Sequence, residues 1–354
     1  MKRRLLVRLL ILAGIVVAGT LPMQAGTSSW YRETEVSKPP PGKSVKIKPT
    51  PKAAPKSGPP ATGNKTDTKT FVEPTGEDAA YIAFDQGQYL TALKLAEEAA
   101  ARGEPHAHTL LGRLYSEGLG VNKDAALASR WYTRAAELGD MQATFALGVL
   151  YAEGRGVKKD RTMAAELFEK AARTGHARAN YNLGLLFLKG DGKPENPYRA
   201  AQHIRYAAEK GIVAAQYDLG ALYQQGAGVA PDAAEASRWI GKAAAKGMVA
   251  AQFEYAVILL RGLGLKSDEP KAIPYLKSAA EKGLVAAQNR LAHVYAEGVG
   301  VEKSQLEAAK WRFIAKAGGL KDEKLDALVG ELPKEQQAAA QRAAVEWRER
   351  AGLF

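Results

Sequence analysis

With 354 residues, the chain is long enough for two or three ordinary domains or for one long repeat array. It has no cysteine, which excludes disulfides, thiolate zinc sites and thiol nucleophiles. The net charge of +12 suggests nucleic acid, yet residues 1–76 hold thirteen Lys/Arg against four Asp/Glu. Only about +3 is left for the rest, and a basic nucleic-acid face is excluded there.

The chain opens MKRRLLVRLLILAGIVVAGTLPMQA, a basic start followed by an apolar run from Leu9 to Gly19. That is the layout of a secretory signal over residues 1–25. Arg8 interrupts the apolar run and Met23 stands where a cleavage site prefers a small residue. A membrane anchor retained through residues 5–21 is therefore the alternative to a removed signal peptide. In either case the basic flank directs the remainder out of the cytoplasm, to the periplasm or another exported location, with inner-membrane anchoring if the signal stays uncleaved.

Residues 26–76 change to Pro, Lys, Thr, Ser and Gly, and nine of the seventeen prolines lie between Trp30 and Thr75. So little apolar surface cannot offset ordering entropy, and the expectation is a disordered, basic linker. Its lysines also suit contact with an anionic envelope surface.

From residue 104 the chain repeats every 36 residues without a gap. Gly112, Gly148, Gly184 and Gly220 keep this spacing, continued by Ala256 and Ala292. Gly118 and Gly154 begin a second series, Gly120 and Gly156 a third, and Gly139 a fourth. Self-similarity at this period means a stack of supersecondary units. In each unit, apolar residues at helical spacing (Leu110, Leu111, Leu114, Tyr115) predict a first helix over 105–117 that ends on Gly118. Asp124, matched by Asp160, Asn196, Asp232 and Asp268, predicts the N-cap of a second helix. Trp131, Trp239 and Trp311 share an inward position on that helix, which His203 takes in the third unit.

The pattern A-x-x-x-L-G-x-L-Y-x-x-G-x-G-V-x-x-D, followed by W-x-x-x-A-A-x-x-G, resembles the Sel-one-like repeat (SLR) family, relatives of the tetratricopeptide repeats. The resemblance covers six units over 104–319. It implies an all-α fold, a right-handed α-solenoid of antiparallel helix pairs. Residues 77–103 resemble a tetratricopeptide-like half repeat without the Gly-x-Gly turn, and 320–354 read as capping helices. The third unit departs most, with Lys193 in place of the apolar residue of its turn and Pro194 and Pro197 nearby.

The residues give no sign of catalysis, metal or cofactor. The glycine turns follow helices and lack the G-K-[ST] of a phosphate loop. The histidines (His106, His108, His176, His203 and His293) form no ligand motif. What remains is surface. Three residues before the Gly112 series stand Phe145, Tyr181, Tyr217 and Phe253; four residues after them stand Val149, Leu185 and, in the fifth unit, Val257. These are the candidates for a partner-binding groove on the concave side, the alternative being ordinary interhelical packing. The resemblance implies a non-enzymatic protein-interaction adaptor or regulator in the bacterial envelope. Two other readings stay open. One is an envelope glycan-binding module. The other is the β-lactam binding or hydrolysis linked to cysteine-rich relatives, whose paired cysteines this chain lacks.

Overall fold

A computed structural model describes residues 75–352, and the expectations for the leader and most of the linker lie outside them. The described residues fall into two compact units, 75–159 and 160–352, taken separately below. Among them there are sixteen helices and no strand.

The first unit contains α1 (Gly76–Asp85), α2 (Tyr89–Ala101), α3 (Pro105–Glu117), α4 (Ala125–Glu137) and α5 (Met141–Glu153). Residues 77–103 thus supply two helices joined by a short turn, α1 and α2. The second contains α6 (Arg161–Arg173), α7 (Ala177–Lys189), α8 (Pro197–Glu209), α9 (Val213–Gln225), α10 (Ala233–Ala245) and α11 (Val249–Arg261). It continues through α12 (Glu269–Glu281), α13 (Val285–Glu297), α14 (Gln305–Ala317), α15 (Glu323–Glu331) and α16 (Lys334–Arg350). Pro333 precedes α16 as its N-cap.

The strict period makes α3 to α14 equal in length, because the same residue types start and stop each helix. Asp124 Oδ1 accepts from the Leu127 amide at 2.8 Å, and Asp160, Asn196, Asp232 and Asp268 cap their helices in the same way. Ser304 does so for α14, accepting from the Glu307 amide at 3.2 Å. Gly118 ends α3 in the left-handed region at φ +74, and the Gly118 and Leu119 amides both donate to Leu114 O. This closes the free carbonyls of the last turn.

The second glycine of each turn has a different cause. A Cβ on Gly228 would stand 1.9 Å from Pro197 O, at the start of α8. Gly264 meets Ala233 O and Gly156 meets Ala125 O in the same manner. Each turn therefore rests on the first turn of the preceding pair's second helix, and only a bare Cα fits. Within a pair, the Gly112 series makes room for the residue twenty positions on. A Cβ at Gly184 would lie 2.7 Å from Ile204 Cγ1, and one at Gly220 2.5 Å from Ile240 Cγ1. The buried series is accordingly Tyr132, Phe168, Ile204, Ile240 and Leu276, next to the tryptophan position. Trp239 and Trp311 are buried as well, whereas Trp131 is only partly so. Full burial of such a side chain stabilises by about 1.5–3 kcal/mol.

The departures in the third repeat have local partners. Lys193 turns out to Glu169 Oε2 on α6 at 3.0 Å, an ion pair in place of an apolar contact. His203 stacks on Phe187 with centroids 5.8 Å apart and shares a hydrogen bond of 2.9 Å with Asn180 Oδ1. Burial holds the His203 imidazole below its usual value. Among the described residues, no helix is long and apolar enough to cross a membrane.

Candidate interaction face

The first helices of the pairs carry the candidate residues, and the structure divides them. Phe145 and Tyr181 are 3% and 7% exposed, so they pack between helices instead of lining an open groove. Val149 is buried with Phe145. Tyr217, Phe253, Leu185 and Val257 keep part of their surface in water. In 160–352, the apolar surface of this face thus comes from the positions around Leu185, Ala221 and Val257 more than from a full aromatic ladder.

The tyrosines also bind acids of the following repeat. Tyr181 Oη donates to Asp218 Oδ2 at 2.8 Å, and the Tyr217 hydroxyl lies beside the Glu254 carboxylate. Gln224 Nε2 donates to the same Glu254 at 2.8 Å. Burial raises the Asp218 carboxyl to about 6, partly countered by the Tyr181 hydroxyl and the charge of Lys189. Burial and the neighbouring Glu254 and Asp218 push the Tyr217 hydroxyl well above its usual value. The reading from sequence missed these acids. Their only signal is the position after each ladder residue, which runs Ala146, Asn182, Asp218, Glu254, Arg290 and becomes polar where an apolar helix interior is expected.

In the first unit, Phe145 and Val149 form part of the wall of a cavity of about 340 Å³. Leu119, Tyr132, Ala146 and Leu150 complete its apolar lining, while Arg113, Lys123, Arg155 and Glu117 stand among its polar residues. Arg113 Nε donates to Glu117 Oε1 at 3.0 Å, and its guanidinium lies 4.5 Å from the Phe84 ring centroid. Arg155 is paired with Glu153 at 2.6 Å.

The histidines on this face serve structure. His106 Nδ1 lies 2.8 Å from Asp140 Oδ2, and Thr109 Oγ1 donates to that oxygen at 2.7 Å. Asp140 also caps α5 through the Gln142 and Ala143 amides. The hydrogen bond to Asp140 raises the His106 pKa above its usual value. His108 is buried and bonded to Glu104 O at 2.8 Å. Among the described residues, no group of three or more His, Asp or Glu could hold a metal ion.

Comparison with known proteins places this geometry. The Sel1 repeat model matches at 105–140, 142–176, 177–212, 213–248, 249–284 and 285–311. A Sel1 repeat protein from Oxalobacter formigenes is similar in structure, with 33% identity, a TM-score of 0.60 and coverage of 69% of this chain and 100% of its own. A protective antigen of uropathogenic Escherichia coli strains, described as displaying an SLR fold, is 30% identical with a TM-score of 0.54. That match covers 78% of this chain and 68% of the antigen. A search of the curated proteins finds no match.

Proposed function

The chain belongs to the Sel1 repeat family, helical-repeat scaffolds for protein interaction that are in general non-enzymatic, and we propose that it is an exported adaptor whose protein partner lies along the first-helix face. The observation that carries this reading is the partly exposed apolar series Leu185, Ala221 and Val257, repeated at one register on successive first helices. These three remain where a peptide or helix laid across the repeats would meet them in turn. The Tyr181–Asp218 hydrogen bond stiffens the same face by tying consecutive first helices together.

Export rests on residues 1–25, and attachment to the envelope on the apolar run at 5–21 or on the lysines of 26–76. Affinity purification of the full chain from whole cells, followed by mass spectrometry and sequencing of the mature N-terminus, tests both parts. A stoichiometric protein in the envelope fraction is expected. Sedimentation with purified cell wall and no protein partner would favour the glycan-binding reading instead. Hydrolysis of a chromogenic β-lactam above background would overturn the scaffold reading.

A further inference from the structure

The cavity in 75–159 departs from the repeat in a way the scaffold does not require. Its three cations occupy positions that become Val149, Lys159 and Asp191 one repeat later, then Leu185, Glu195 and Ala227. The later repeats carry Ala221, Pro231 and Leu263, then Val257, Ser267 and Val299. No later repeat brings three cations together. Here they stand around the partly exposed apolar residues Leu119 and Ala146, with the buried Phe145 and Val149 beneath, and Glu117 is the single acid among the lining residues.

Two of the three cations are also held in advance. Arg113 is fixed by Glu117 and the Phe84 ring, and Arg155 by Glu153, while the Arg155 backbone N–H donates to Leu150 O at 3.1 Å. Lys123 sits on a turn closed at both ends, where the Gly118 amide reaches Leu114 O and the Asp124 amide reaches Tyr115 O, each at 2.9 Å. Groups positioned before binding lose little freedom when a ligand arrives.

We infer that this cavity binds the C-terminal residue of a partner protein, its apolar side chain on Leu119 and Ala146 over the buried Phe145 and Val149, and its α-carboxylate on Arg113, Lys123 and Arg155. The volume of about 340 Å³ lies at the small end of ligand pockets, enough for a chain end but not a folded element. A terminal residue carries its carboxylate on the same Cα as its apolar side chain, so one residue satisfies both floor and rim. An internal Asp or Glu puts its charge where the apolar group should be and leaves the floor empty. Arginine's planar donors suit a carboxylate, and the excess of cations supplies the complementary charge.

This inference rests on the scaffold reading, but its test is separate. Fluorescence anisotropy of the full chain would use a labelled hexapeptide ending in Ala-Leu with a free carboxylate. The comparison peptides are its C-terminal amide and an amide with Asp in the last position. The free acid should bind, and both amides at least about tenfold more weakly, the size of one charge-assisted hydrogen bond. Lys123→Ala with Arg155→Gln should weaken the free acid by a similar factor, with a lowered thermal midpoint because the buried Glu153 carboxylate loses its partner. Lys123→Glu alone, at an exposed position, should do so with less risk to the fold. Equal binding of acid and amide, no binding of the free acid up to roughly millimolar concentration, or indifference to the variants overturns the inference. Capture of the cellular partner by the double variant at full yield would sink the cavity and leave the scaffold standing.

Discussion

Gly211 and Gly228 both have positive φ, +88 and +72, but only one is crowded. Nothing lies within 4 Å of a Cβ on Gly211, whereas one on Gly228 meets Pro197 O at 1.9 Å. Gly211→Ala should therefore cost about 1–2 kcal/mol of backbone strain alone. Gly228→Ala adds about 1–3 kcal/mol of overpacking and should separate from it in urea denaturation; equal losses would contradict the contact explanation. Asp218 gives a test with a sign. Its folded-state value of about 6 lies above that of the unfolded chain, near 3.9. Stability thus falls as the pH rises from about 4 to 6, as the carboxylate ionises at a cost the unfolded chain does not bear. Asp218→Asn keeps an acceptor for Tyr181 and should gain about 1–3 kcal/mol at pH 7.5 and nothing below pH 4. A loss at pH 7.5 would mean that the ionised form is needed for folding.

At the level of elements, the helix ends were legible because each is set by one or two local residues, such as Asp124 with the Leu127 amide or Gly118 with Leu114 O. The glycines announced close approach, though not to which atom. Less was legible wherever a residue's partner lies in another element. Phe145 and Tyr181 stand as groove candidates in the sequence with interhelical packing as the alternative, since exposure depends on the neighbouring helices. The Tyr181–Asp218 pair spans one repeat and one residue, a distance no helical template contains. Arg312 is the clearest case, for it stands at the position of Tyr132, Phe168 and Ile204 and is 1% exposed. It binds Asp326 through Nε and Nη2 at 2.8 and 2.9 Å, with Asn289 Oδ1 and Leu320 O on Nη1. It thereby joins α14 to α15. Arg312→Ala should cost about 3 kcal/mol or more, and Arg312→Met, which refills the volume, distinctly less, as measured by thermal denaturation. Asp322 holds the same junction. Burial would raise its carboxyl, but hydrogen bonds from Asn289, the Leu325 amide and His293 outweigh this and bring it to about 2. The folded value is below the unfolded one, so this stabilisation is complete above about pH 4 and fades as the pH falls towards 2. Asp322→Asn should flatten the acid limb of the stability profile over that range.

Over the whole molecule, basicity and binding surface are separate properties. The first 76 residues hold +9 of the +12, so the repeats meet a partner with nearly balanced charge and a modest apolar face. Stability in such arrays comes from neighbour contacts, and the end of 160–352 depends on its cap. Trp311 meets Trp347 edge-on at 5.4 Å, while Ala309, Val329, Leu332 and Ala340 share one buried cluster. The interaction surface itself is best tested where apolar residues are partly exposed and not needed for the core. The most direct measurement is partner capture from envelope extract by the wild-type chain, by Leu185→Glu with Val257→Glu, and by Tyr198→Glu on an exposed second-helix site, each checked for an unchanged thermal midpoint. The first-helix pair should lose the partner and the second-helix variant keep it; loss by Tyr198→Glu with full capture by the first-helix pair would contradict a first-helix interaction face.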